Sequence, residues 1–148
     1  MSNLAVHFSS QKDDWETPDD LFAELHNEFD FTLDVCATAE NAKLPRFITP
    51  EQDALHPGQL WSGCCWMNPP YGRGVGKWVE KARKWGLGGL VCCLLPARTD
   101  TSWWHDYIWD TGSHIPHIGV EVRFLRGRLK FKGAKHSAPF PSCIVVFR

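Results

Sequence analysis

Trp66-Met67-Asn68-Pro69-Pro70-Tyr71-Gly72 limits what this chain can fold into more than any other stretch. Two consecutive prolines fix φ at about −65° twice, remove two backbone donors and push the preceding residue out of the α region. Asn68 to Tyr71 is therefore predicted to be a stiff, extended turn at the end of an apolar strand. In such a turn the Asn68 amide oxygen and the Pro69 carbonyl stand as two acceptors at a fixed separation, and Tyr71 offers a flat ring beside them. Two convergent acceptors next to an aromatic plate suit a planar ring bearing an –NH2 group, and a nucleobase amine is the obvious guest.

The patterns on either side of that turn predict alternating helices and strands. Thr17 as N-cap, Pro18 at the first helical position, Asp19 and Asp20 at the positive end, and a stripe of Leu21, Phe22, Leu25 and Phe29 predict a helix over 18–28. Phe31 to Ala37 alternates and then turns fully apolar around Asp34, as a central strand would. Cys64 to Met67 is a short buried strand that delivers the Asn68 turn at its carboxyl end, where ligands sit in open α/β sheets. Val75, Trp78, Val79 and Ala82 mark the core face of a helix over 75–85, leaving Lys77, Glu80, Lys81, Arg83 and Lys84 toward water. Leu90 to Leu95 reads as an interior parallel strand, and Trp103, Trp104, Tyr107 and Ile108 as a helix opening after Asp100. Gly119 to Leu125 and Ser142 to Phe147 are the last two strands.

Strands separated by helices of this length imply an α/β fold, a mostly parallel sheet with a C-terminal antiparallel hairpin. The length of 148 residues fits one domain, 15–148, behind a polar arm at 1–14 without periodicity.

No apolar run approaches the ~18 residues that cross a bilayer, and the N-terminus lacks a basic start followed by an apolar core, so a cytoplasmic protein is expected. Cys64-Cys65 and Cys92-Cys93 are adjacent pairs, and Cys36 and Cys143 lie in apolar runs. The six cysteines therefore read as small buried hydrophobes rather than a disulfide frame. Neither Cys-x-x-Cys nor His-x-x-x-His spacing occurs, which argues against a structural zinc site.

Net charge is only −1, but it is unevenly spread: residues 13–53 hold twelve acids against Lys43 and Arg46, while residues 123–136 hold six bases and no acid. The alternation Arg126-Gly127-Arg128-Leu129-Lys130-Phe131 predicts a ribbon with Arg126, Arg128, Lys130 and Lys132 on one side, suited to phosphates. The acidic end suits a cationic ligand. A solvated acidic helix face with an ordinary basic hairpin is the plainer reading of the same counts.

Asn68-Pro69-Pro70-Tyr71 after an apolar strand resembles the catalytic motif of amino-group methyltransferases that use S-adenosylmethionine. The likeness extends to Trp15-x-Thr17-Pro18-x-x-Leu21-Phe22, to Leu33-Asp34-Val35-Cys36-Ala37 with Asn41-Ala42, and to Leu95-Pro96-Ala97-Arg98-Thr99-Asp100-Thr101. It ends with Gly127-Arg128-Leu129-Lys130-Phe131 through Ala138-Pro139-Phe140-Pro141-Ser142. As a set these stretches are similar to the phage-type Dam family of DNA adenine methyltransferases.

The resemblance implies a compact class I, Rossmann-like methyltransferase fold and methyl transfer to the exocyclic amine of adenine in DNA. It implies catalytic roles for Asn68, Pro69, Pro70 and Tyr71, the last by stacking on a flipped base. Trp15, Thr17 and Pro18 would surround the methionine end of the cofactor, Asp34 would belong to the cofactor strand, and Asp53 would bind the cofactor's adenine amine. Arg98, Arg126, Arg128 and Lys130 are the expected DNA contacts, and a homodimer is left open. One departure is evident, since Thr38-Ala39-Glu40-Asn41 stands where the broader class has Gly-x-Gly. The alternatives are a cytosine-amine, RNA or protein-glutamine methyltransferase, or a non-catalytic nucleic-acid-binding relative.

Overall fold

In the computed structural model, residues 14–148 are described. The arm expected at 1–14 therefore lies, Asp14 apart, outside the described residues. Among the described residues there are three α-helices, α1 (Asp19–Phe29), α2 (Val75–Gly86) and α3 (Ser102–Tyr107), and seven strands: β1 (Leu33–Asp34), β2 (Cys64–Met67), β3 (Leu90–Pro96), β4 (Trp109–Asp110), β5 (Ile115–Pro116), β6 (Val120–Phe124) and β7 (Ser142–Phe147).

Five strands form the central sheet in the order β1-β2-β3-β7-β6. β1, β2 and β3 are mutually parallel, β7 is antiparallel to β3, and β6 is antiparallel to β7. β6 consequently shares the direction of the first three strands, and β7 alone is reversed. That is the mostly parallel sheet with a closing antiparallel pair that the patterns predict. A separate two-stranded hairpin, β4–β5, had no sequence signal.

Both faces of the sheet are covered, which is why its strands are apolar at nearly every position. Cys65, Met67, Val91, Cys93, Leu95, Cys143, Val145 and Phe147 pack with Val75, Val79 and Ala82 of α2 and with Trp104 of α3. The alternate residues Trp66, Cys92, Leu94, Ile144 and Val146 pack with Phe22 and Leu25 of α1 and with Phe131 and Ala138. Helix α2 lies very close to β7: a Cβ on Gly86 would meet the Phe147 Cβ at 2.5 Å, so only glycine fits there. All six cysteines are free, and four of them, Cys65, Cys92, Cys93 and Cys143, are buried, as their apolar setting implied.

Four expectations need correction. The strand predicted at Phe31 to Ala37 is paired only at Leu33–Asp34, because the chain bends at Val35-Cys36 to wrap the Asp34 carboxylate. Residues 126–132 do not form a ribbon: they are an irregular segment in which Phe131 turns inward to 2% exposure. Thr17 does not cap α1, whose N-cap is Pro18 with no side-chain cap bond. Lys81 does not face water; its Nζ donates to the carbonyls of Ala54, His56 and Gln59 and so pins the 54–59 loop to α2.

Candidate active site

A cleft of about 390 Å³ opens at the carboxyl ends of β1 and β2, within the usual size range of ligand sites. Its wall includes Asp14, Trp15, Glu16, Thr17, Asp34, Cys36, Thr38, Asn41, Lys43, Pro50, Trp66, Asn68, Pro69, Pro70 and Lys132. Of the expected site residues, the fold thus brings together Trp15, Thr17, Asp34, Asn68, Pro69 and Pro70, from stretches up to 55 positions apart in the chain.

Asn68 is held from both ends of its amide. Nδ2 donates to the Trp15 carbonyl at 2.6 Å and to Thr17 Oγ1 at 2.9 Å. Oδ1 lies 2.7 Å from the Tyr71 hydroxyl, which also lies 2.9 Å from the Leu94 carbonyl and has one hydrogen to serve both acceptors. Both amide hydrogens are therefore consumed, and what remains of Asn68 is acceptor capacity. Buried Thr17, read from the sequence as a helix cap, instead supplies one of these acceptors.

Tyr71 is a correction. It presents no free ring face: it is 2% exposed, its ring lies edge-on to Phe131 and Phe140 at centroid distances of 6.3 and 5.7 Å, and burial pushes its phenol well above the ordinary range. The sequence pattern gave the aromatic but could not show that Phe131 and Phe140 fold back over it.

Asp34, in β1, is 2% exposed. Its Oδ1 accepts the Cys36 N–H at 3.2 Å and its Oδ2 the Lys43 N–H at 3.1 Å. Burial pushes its pKa up from 3.8 to about 6, opposed by those two backbone bonds and the Lys43 charge. The loop between them closes further where Thr38 N–H donates to Asn41 Oδ1 at 2.7 Å. A carboxylate-centred loop thus occupies the place of the absent Gly-x-Gly turn. Lys43, which the sequence marked only as one of two bases in an acidic stretch, lines the cleft and pairs with Asp19 at 2.9 Å; its place in the cleft had no local signal, because Asp19 lies in another element.

The remaining expected residues fall outside the cleft. Pro18 ends the segment before α1. Asp53 closes a 3-10 turn at positive φ and accepts the Leu55 N–H at 3.2 Å, a turn-forming role. Arg98 donates from Nη1 to the Tyr71 carbonyl at 2.7 Å, so it braces the far end of the Asn68 turn.

The two charged ends of the sequence meet each other. Lys132 pairs with Asp19 at 3.0 Å and Arg123 with Glu28 at 2.6 Å, and the Lys43 and Lys132 ammoniums hold Asp19 below the ordinary carboxylate range. Arg126, Arg128, Lys130 and Lys135 are exposed and, among the described residues, make no ion pair. No group of three or more His, Cys, Asp or Glu placed to hold a metal occurs among the described residues, and none of their helices is long and apolar enough to cross a membrane.

The chain matches the family described as DNA N-6-adenine-methyltransferase (Dam) over residues 5–148. A DNA N-6-adenine-methyltransferase of Haemophilus phage HP1 (strain HP1c1) is 36% identical over 125 residues, covering 76% of this chain and 70% of that protein. With a match that spans both the Asn68 turn and the loop around Asp34, this chain belongs to the Dam family and is an adenine-specific DNA methyltransferase.

Proposed function

We propose that the methyl donor is S-adenosylmethionine, held in the cleft between Asp34 and Asn68, and that Asn68 and the Pro69 carbonyl grip the target adenine amine. The observation that carries this reading is Asn68 itself, fixed in the cleft wall with both amide hydrogens already bonded. A buried carboxyl whose ionised form is penalised fits a ligand with sulfonium and ammonium charges, because a cation restores what burial takes away. The neighbouring acids Asp14 and Glu16 add to that fit, and Trp15 and Thr17 lie on the same wall. When bound, the cofactor supplies an electrophilic methyl group.

The protein's part is to prepare the nucleophile. The adenine amine is conjugated into its ring and is a poor nucleophile until it pyramidalises. Acceptors at Asn68 Oδ1 and the Pro69 carbonyl take its two hydrogens and favour the form with a localised lone pair. The amine is paired inside a duplex, so the base must leave the stack to reach the cleft. Tyr71 then acts through its hydroxyl on Asn68 rather than by stacking, while Arg98 braces the turn. Exposed Arg126, Arg128 and Lys130 lie on the segment that carries Lys132 to the cleft and are placed to meet phosphates. The parallel β1-β2-β3 unit, with its cleft at the carboxyl ends, supports a class I, Rossmann-like fold.

Transfer of tritiated methyl from S-adenosylmethionine to unmethylated DNA, followed by nucleoside analysis, tests the assignment and should give N6-methyladenine. Asn68→Ala should lose about 10²–10³-fold in rate, by analogy with loss of one preorganised hydrogen-bonding group, and still bind cofactor in calorimetry. Undiminished turnover in that variant would remove Asn68 from the chemistry.

A further inference from the structure

We propose that Thr17 is a specificity-determining positioning residue that makes Asn68 an acceptor-only reader of its target; this rests on the reading that Asn68 receives the target amine. A primary amide has two orientations about its last bond, exchanging a donor group for an acceptor. In the observed one, Nδ2 spends one hydrogen on the Trp15 carbonyl at 2.6 Å and the other on Thr17 Oγ1 at 2.9 Å. The reverse orientation would put Oδ1 against the Trp15 carbonyl, acceptor on acceptor, and is rejected. The main-chain contact therefore sets the orientation, and the hydroxyl of Thr17, a residue 2% exposed, takes the hydrogen that would otherwise be left over.

That leftover hydrogen matters for selection. With it free, Asn68 could donate to a ring carbonyl as well as accept from a ring amine. With it bound to Thr17, a base that presents oxygen in place of the amine meets only lone pairs. Leaving polar groups unpaired in a confined site is what lets such sites reject close analogues. Thr17 thus converts a two-way hydrogen-bonding side chain into a filter for –NH2.

The experiment uses duplexes carrying one mapped methylation site, with the target base either adenine or hypoxanthine, whose carbonyl replaces the amine. The affinity ratio for the two duplexes and the single-turnover methylation rate at limiting and at saturating S-adenosylmethionine are measured for the wild type, Thr17→Val and Thr17→Ser. Thr17→Val should lower both the ratio and the rate roughly tenfold, and Thr17→Ser should recover both to within about threefold. An unchanged ratio in Thr17→Val overturns the proposal, as does a rate deficit that disappears at saturating cofactor, which would make Thr17 a cofactor contact only. Should Thr17→Val not fold, Thr17→Ala is read by the same criteria. Asn68→Ala is run alongside: if it still methylates DNA, the parent assignment fails, whereas an inactive Asn68→Ala with an indifferent Thr17→Val sinks only the present inference.

Discussion

The two halves of the central sheet are built for different ends. β3 and β7 pair over six positions, with every β7 residue and all but the first β3 residue buried, and they give the sheet its long antiparallel seam. β1 and β2 are two and four residues long, pair in parallel, and end on Asp34 and beside Asn68. The long seam pairs backbone with backbone over six consecutive registered positions. The short pair stops early, and around its end backbone groups bond to side chains instead: the Cys36 and Lys43 amides donate to Asp34, and the Trp15 carbonyl accepts from Asn68 Nδ2. Ligand chemistry requires polar groups that the ladder has not already used, so the cleft is found where pairing ends.

If that division holds, damage to the seam should cost stability and leave the chemistry intact. Leu95→Ala, fully buried in the core against α2, should destabilise by about 2–5 kcal/mol, measured by urea unfolding, with an unchanged single-turnover rate in the fraction that stays folded. A rate loss there would show that the seam and the cleft are not separable.

The Asp34 carboxyl sharpens the comparison through pH. Its folded pKa lies above its ordinary value, so the folded chain holds this proton through a window in which the unfolded chain has released it. Its contribution to stability accordingly falls as pH rises from about 4 to about 6. The difference in unfolding free energy between wild type and Asp34→Asn should change by about 3 kcal/mol across that window. S-adenosylmethionine affinity should move the opposite way, rising as Asp34 ionises. A flat difference curve would mean that the carboxyl is not paying a burial cost at all.

Tyr71→Phe separates two readings of the same ring. A stacking role predicts full activity, because the ring is kept. A hydroxyl that orients Asn68 predicts a loss of roughly tenfold in rate, with cofactor affinity unchanged. Smallest in effect, each of Arg126, Arg128 and Lys130 replaced by Gln should shallow the dependence of DNA affinity on salt by about 0.9 in logarithmic slope. An unaltered slope would place phosphate contacts elsewhere.

Local sequence made the regular elements legible. Helix α1 could be read from Pro18, Asp19 and its apolar stripe, and α2, β2, β3 and β7 from runs whose periodicity or continuity reflects burial on one face or two. The Asn68 turn was equally plain, since proline restricts its own φ and the conformation of the residue before it whatever surrounds them. Two short strands, β4 and β5, left no trace, because two residues carry no period.

The site was legible in part. Residue types at Asn68, Thr17 and Asp34 marked chemistry, but the roles of Thr17 and Tyr71 were misread as cap and stacking plate. A hydroxyl beside a helix start looks like a cap until Asn68, 51 positions away, is seen to claim it. The basic segment looked like a ribbon because alternation is a strand signal, yet Lys132 is drawn to Asp19 and Phe131 to Tyr71. The resemblance implied a cofactor contact for Asp53, and the structure shows that residue outside the cleft, accepting the Leu55 N–H.

What the sequence determined by itself was whatever depends on the covalent chain and its neighbours along it: stiff prolines, apolar periods, and the types of polar group present. Tertiary structure alone decided which polar groups face one another. Hydrogen bonds and charges couple residues across space over a few ångströms, and chain distance carries no record of that.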